Sequence, residues 1–139
     1  MDCIFCQILS GQIPSKRLTE STHCVAILDA FPLAAGHALV ISKKHSPKVQ
    51  GLDRAEISDL FATVQTIASR IESAMSADAM ITVHNGPDAG QVIPHVHVHV
   101  IPRTAGDRAG HIPDLFHGSA AEAPGYDADA LHALLKDND

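Results

Sequence analysis

The chain has 139 residues, 45% apolar and 19% charged, with a formal net charge of −6. That length suits one compact domain spanning residues 1–139. The acidic balance excludes a surface built for nucleic acid or anionic membrane, because both need basic patches. No apolar run approaches the roughly 18–20 residues that span a bilayer. The opening Met-Asp-Cys-Ile-Phe-Cys lacks the basic and apolar regions of a signal peptide. Three cysteines, an odd number, argue against a disulfide framework, so the expected setting is the reducing cytoplasm.

Residues 1–15 hold a Cys-x-x-Cys and an apolar stretch that ends at Pro14. Residues 23–29 read as a strand, Phe31-Pro32 and Ala35-Gly36 as a turn, and residues 37–42 as the returning strand of an antiparallel pair. Next, Ile57, Leu60, Phe61, Val64, Ile67, Ala68, Ile71 and Met75 recur at spacings of three and four, the stripe of an amphipathic helix. Asp53 and Glu56 have the spacing of a capping box at its start. Its end is expected near Ser76-Ala77-Asp78. Residues 79–84 predict a third strand. The run from Asn85 to Gly90 is loop, by its density of turn residues. Residues 94–101 predict a fourth strand closed by Pro102. Residues 103–126 look irregular, and Asp127 or Asp129 starts a short last helix through Leu131, Leu134 and Leu135. The pattern predicts an α+β domain: an antiparallel sheet with a long helix and a short C-terminal helix, the helices packed on one face.

Histidine is the outlier, with ten residues, three of them within five positions. On a strand, successive side chains point to opposite faces. His95, His97 and His99 therefore share one face, and Val96, Val98 and Val100 turn to a core. Three histidines at period two exceed what a wet strand face needs, and clustered imidazoles mark sites. A His-x-His pair can hold zinc, but the outer two rings lie about 13 Å apart along a strand at about 3.3 Å per residue, too far for one ion. The other chemistry is nucleophilic: neutral imidazole attacks phosphorus, and the phosphoramidate it forms hydrolyses readily. A metal-dependent hydrolase with His95 and His97 as ligands is the competing class, against which stands the shortage of carboxylates near these residues.

The run His95-Val-His97-Val-His99-Val-Ile101 resembles the signature of the histidine-triad family, His-φ-His-φ-His-φ-φ. Around it, Asp2-Cys-Ile-Phe-Cys6, Ile13-Pro14, Asp29, Gly36-His37, Lys43-Lys44-His45, Asn85-Gly86 and Ala89-Gly90-Gln91 also follow the family's order. Pro102-Arg103 is as in many bacterial members. The resemblance covers about residues 2–103 and leaves 104–139 as a variable tail. It implies the HIT-like fold, a homodimer and a purine nucleotide substrate. His97 would be the nucleophile that forms a nucleotidyl-histidine, a backbone carbonyl of the triad strand would fix its tautomer, and His99 would contact phosphate oxygens. Gln91 would reach the departing group or the attacking water, and main-chain N–H groups of Gln91 and Val92, beside Gly90, would cradle the phosphate. Ile4, Phe5, Ile8, Ile27 and Leu39 would sandwich the base, and Asp29 would bind the ribose hydroxyls. His84 stands where many members carry Asn, and Val92 where many carry Ser or Thr, so the side-chain donors of the nucleotide pocket are changed at both.

Cys3-x-x-Cys6 has zinc-ligand spacing. The resemblance implies His45 and His95 as the other two ligands of a structural zinc, since those positions supply zinc ligands in related uridylyltransferases and some bacterial triad proteins. No catalytic metal is expected, and Cys24 is expected to pack in the strand pair. The implied activity is hydrolysis of nucleoside 5′-phosphoramidates or related mixed phosphates, releasing AMP or GMP. The alternatives are a dinucleoside polyphosphate hydrolase, which Ile101-Pro102-Arg103 with Ala105-Gly106-Asp107 also resembles, and a non-catalytic nucleotide sensor.

Overall fold

A computed structural model describes residues 3–107 and 127–136. They fall in two compact units that part between residues 109 and 110. The first unit runs α1 (Ile4–Leu9), β1 (Arg17–Glu20), β2 (Cys24–Leu28), β3 (Ala38–Ser42), α2 (Arg54–Met75), β4 (Asp78–Thr82) and β5 (His97–Arg103). The second holds α3 (Ala128–Leu135), whose first turn is capped by Asp127: its carboxylate accepts the Ala130 N–H at 3.1 Å. The expected irregularity of 103–126 falls largely outside the described residues, and Arg103 itself ends β5.

The five strands form one antiparallel sheet in the order β1-β2-β3-β5-β4. The β2–β3 hairpin pairs Cys24 with Ser42 and Leu28 with Ala38. The histidine strand β5 is paired on both sides, Ile41 facing His97 in β3 and Thr82 facing His99 in β4. It begins three residues later than the alternation predicts. Before it, the Val96 N–H donates to the Ser46 carbonyl instead of entering the ladder. It also runs through Pro102, which lies beyond the end of β3 and pairs with Ala79 of β4 alone.

Helix α2 starts in the expected capping box. The Asp53 carboxylate accepts the Glu56 N–H at 2.8 Å, and the Glu56 carboxylate accepts the Asp53 N–H at 2.9 Å. Its Leu60, Val64, Ile67 and Ile71 pack on Ala26, Val40, Val98 and Val100 from one face of the sheet. Phe61 and Met75 lie at the margins of the stripe and stay 45% and 40% exposed. The opposite face is not bare. The short helix α1 lays Phe5 and Ile8 on Val25, Ile27, Leu39 and Ile41. The helices therefore cover both faces, not one. This explains why β2 and β3 read as continuous apolar runs: both sides of these strands are buried. Cys24 is fully buried in this layer, and burial pushes its thiol up to about 12. No helix among the described residues is long and apolar enough to cross a membrane.

Candidate active site

The face of the sheet that carries α1 also carries a cavity of about 840 Å³. That size is in the range of small-molecule sites. Ile4, Phe5, Ile8, Ile27, Asp29, Leu39, His84, Gly90, Gln91, Val92, His97 and His99 all line it. Alternation along β5 delivers His97 and His99 to the cavity while Val98 and Val100 enter the core beneath α2. Phe5 stands edge-on to His97, ring centres 4.8 Å apart. Ile13, Pro14, Ser15, Lys16, Leu28, Ala30, Phe31, Pro32 and Ile93 complete the lining, and none of them was assigned to the pocket from the sequence.

The hydrogen bonds decide which ring nitrogen carries each proton. His97 Nδ1 lies 2.6 Å from the His95 carbonyl. A carbonyl only accepts, so Nδ1 holds the proton and Nε2 keeps its lone pair. A second chain of bonds sets His99. The Leu33 N–H donates to His37 Nδ1 at 3.0 Å, which puts the His37 proton on Nε2. That proton points at His99 Nδ1, 2.9 Å away, with the Asp29 carboxylate at 3.4 Å. His99 then carries its own proton on Nε2, as a donor. His37, noted in the sequence without a role, joins the site through these contacts. The signal was present: His37 lies on the same alternation as Leu39 and Ile41, and Leu39 pairs with His99.

Burial lowers the pKa of His37, His95 and His97, and takes His99 to about 4, where the nearby rings of His97, His37 and His84 add to the effect. These imidazoles are neutral at pH 7. For His97 this is the state in which Nε2 can attack.

The loop from His84 to Val92 forms another wall. His84 Nδ1 donates to the Gly90 carbonyl at 3.1 Å. Gln91 is held at both ends of its amide: Oε1 accepts the Gly86 N–H and Nε2 donates to the Pro47 carbonyl, each at 2.7 Å. Its main-chain N–H donates to the Gly86 carbonyl at 3.1 Å. Of the two N–H groups expected at a phosphate, that of Val92 is the one without a partner among the described residues, and the Val92 side chain is 89% exposed. Asp29 also accepts the Phe31 N–H at 2.9 Å, on the oxygen away from His37.

Next to the cavity, Cys3, Cys6, His45 and His95 bring four donor atoms within 4.8 Å of one another. The Cys3 thiol lies 3.3 Å from His95 Nδ1 and the Cys6 thiol 3.4 Å from His45 Nδ1. Cys6 to His95 is 3.7 Å, and the two Nδ1 atoms are 3.1 Å apart. Bonds of about 2.0–2.1 Å to nitrogen and about 2.3 Å to sulfur at tetrahedral angles would put such donors about 3.3–3.8 Å apart. The residues therefore fit a zinc ion. His95 Nε2 donates to the Ser42 carbonyl at 2.6 Å, which leaves Nδ1 as the ligating nitrogen. Asp29, His37 and His99 also lie close enough to suggest a metal. The Leu33 N–H argues against it, because His37 Nε2 could ligate only if Nδ1 took a proton directly facing that donor. Neither cluster includes His97.

The chain matches the HIT domain over residues 10–106. It belongs to the HIT family. An adenosine 5′-monophosphoramidase from Saccharomyces cerevisiae is 42% identical to it over 103 residues, which are 73% of this chain and 62% of that protein. An adenylylsulfatase from Arabidopsis thaliana is 39% identical over 107 residues, 76% of this chain and 54% of that one. The chain thus spans about half the length of the adenylylsulfatase. A zinc-bound histidine triad family protein from Mycobacterium smegmatis has the same fold, with a TM-score of 0.74 and 35% identity over 79% of this chain and 81% of the other. A HIT family member from Bacillus subtilis gives a TM-score of 0.77 at 28% identity, each chain covered in full.

The neutral rings make stability depend on pH. Imidazoles ionise near pH 6.5 in an unfolded chain, whereas His99 does so at about 4 in the folded one. Between those values the unfolded chain binds more protons, so stability is present above pH ~6.5 and is lost as the pH falls toward ~4. Urea midpoints should drop across this window, and His99→Asn should flatten the drop. A midpoint equal at pH 7 and pH 4.5 would contradict the assignment.

Proposed function

We propose that the protein hydrolyses nucleoside 5′-phosphoramidates or related mixed phosphates at the α-phosphorus and releases the nucleoside monophosphate. The observation that carries this reading is the bond from His97 Nδ1 to the His95 carbonyl, which leaves a bare, neutral Nε2 on the wall of a nucleotide-sized cavity. The base would lie among Ile4, Phe5, Ile8, Ile27 and Leu39, with the ribose hydroxyls at Asp29. His97 Nε2 attacks the phosphorus, the leaving group departs, and water then releases the nucleotide from His97. The proton on His99 Nε2 would bind a phosphoryl oxygen as charge builds on it. The similarity to the yeast adenosine 5′-monophosphoramidase supports the substrate class.

Cys3, Cys6, His45 and His95 would hold a structural zinc ion. When bound, it would tie α1 to the segment that leads into β5, and with it the carbonyl that orients His97. We also infer a homodimer. Among the described residues strand β4 is an edge of the sheet, and Ile81 on it and Phe61 on α2 are about half exposed beside the groove between them.

Steady release of AMP from adenosine 5′-phosphoramidate during brief exposure to EDTA is the expected result. His97→Ala should abolish it and leave AMP binding nearly intact. Activity above about a hundredth of wild type in that variant would overturn covalent catalysis, because losing a nucleophile costs many powers of ten. AMP binding without turnover in the wild type would make the protein a sensor instead. Metal analysis of protein purified without added zinc should find close to one equivalent per chain, and less than a tenth would rule out the structural site. Light scattering behind a sizing column should report twice the chain mass, and Phe61→Glu should halve it. A wild-type monomer at micromolar concentration would remove the dimer.

A further inference from the structure

The proposed reaction leaves one chemical requirement unassigned. An amine that departs from phosphorus needs a proton, and the water that follows must lose one. In that reading helix α1, strands β2 and β3 and the adjoining segments 13–16 and 29–32 line the base and ribose side, so the leaving group faces the opposite loop, from His84 to Val92. On that loop the Gln91 amide is engaged by Gly86 and Pro47. Val92 offers a methyl-bearing side chain and a backbone N–H. The Asn85 amide is turned to the Val49 N–H and the Gln50 side chain. Of the residues by which this loop lines the cavity, His84 is the one with a side-chain proton to exchange at neutral pH.

Its ring is set for the task. The Gly90 carbonyl holds the proton on Nδ1, so Nε2 is the nitrogen that gains and loses one. Gly90 has φ +90°, and a Cβ there would come within 3.2 Å of His84 Nδ1, so the turn closes directly on the ring. The ring centre lies 5.4 Å from that of His99, at a tilt of 40°. His99 itself is a poor proton shuttle: with a pKa of about 4, its charged form is scarce at neutral pH.

We propose that His84 is a further catalytic residue, the general acid for the leaving group and then the general base for water; this rests on the hydrolase reading above. In the first step the His97 Nε2 lone pair bonds to the α-phosphorus. The phosphorus–nitrogen bond breaks, its electron pair goes to the departing nitrogen, and the His84 imidazolium gives that nitrogen its Nε2 proton. In the second step the water oxygen bonds to phosphorus and a water proton passes to His84 Nε2. The phosphorus–His97 bond breaks and returns the lone pair to His97. The products are the amine and the nucleoside monophosphate, with both side chains restored.

The test compares two AMP derivatives in a single turnover. One is an alkylamine phosphoramidate, whose leaving group must be protonated. The other is the p-nitrophenyl ester, whose phenolate leaves without a proton. His84→Asn keeps a donor for the Gly90 carbonyl but cannot exchange a proton. The alkylamine rate should fall about a hundredfold more than the p-nitrophenolate rate, in line with typical acid–base contributions. Equal losses with both substrates would assign His84 to loop structure, and no loss with either would remove it from the reaction; both overturn the proposal. If the Asn variant does not fold, His84→Ala with added imidazole reads the same contrast: selective rescue of the alkylamine rate is expected, and rescue of both rates or neither overturns the proposal. Wild-type protein that releases nothing from either compound overturns the hydrolase reading itself, and this proposal with it.

Discussion

One hydrogen bond organises the chemistry, that from His97 Nδ1 to the carbonyl of His95 two residues earlier. A neutral imidazole has a single proton, and only an acceptor at one nitrogen frees the other. The acceptor here belongs to the backbone, so the tautomer of His97 depends on where residue 95 is held. Further bonds hold it. The His95 ring donates to the Ser42 carbonyl, the Val96 N–H donates to Ser46, and the Ser42 N–H donates to Val96. The lead-in to β5 is thus laced to the end of β3, and the His95 ring turns its free nitrogen to the two thiols.

The sheet divides labour between its faces. Beneath α2 it is an apolar core of valine, leucine and isoleucine. On the other face it is half core and half cavity, with Phe5 belonging to both: it packs on Ile8 and Ile41 and stands edge-on to His95 and His97. Burial on this face keeps the rings neutral while hydrogen bonds dictate their orientation. The same low polarity that would penalise a charged imidazole favours the nucleophilic form.

Period-two alternation and period-3.6 stripes were the legible parts of the sequence, because they report burial directly. The β2–β3 hairpin, the capping box at Asp53 and the division of His95–Val100 between two faces could all be read. So could the gathering of Cys3, Cys6, His45 and His95, which rests on spacing and family order. Helix α1 was missed because six residues hold too few turns to display a period. Strand β1, Arg-Leu-Thr-Glu, is a largely exposed edge without an apolar face. His37 was read as the first residue of the returning strand and given no role, since its contact is with a residue far along the chain. The engagement of the Gln91 side chain by Gly86 and Pro47 could not be read either, because it depends on how two loops meet.

The strand order has a consequence for how the protein acquires its site. Strand β5 enters the sheet between β3 and β4, and its pairing with β3 joins Ile41 to His97 across the whole of α2 and β4. Closing so long a loop is slow beside forming the β4–β5 hairpin, whose strands follow one another in the chain. That hairpin alone brings neither His97 to Ile41 nor His99 to His37. The cavity, the tautomers and the thiol cluster come into being together with the last non-local pairing, and a chain folded only as far as its hairpin and helix has none of them.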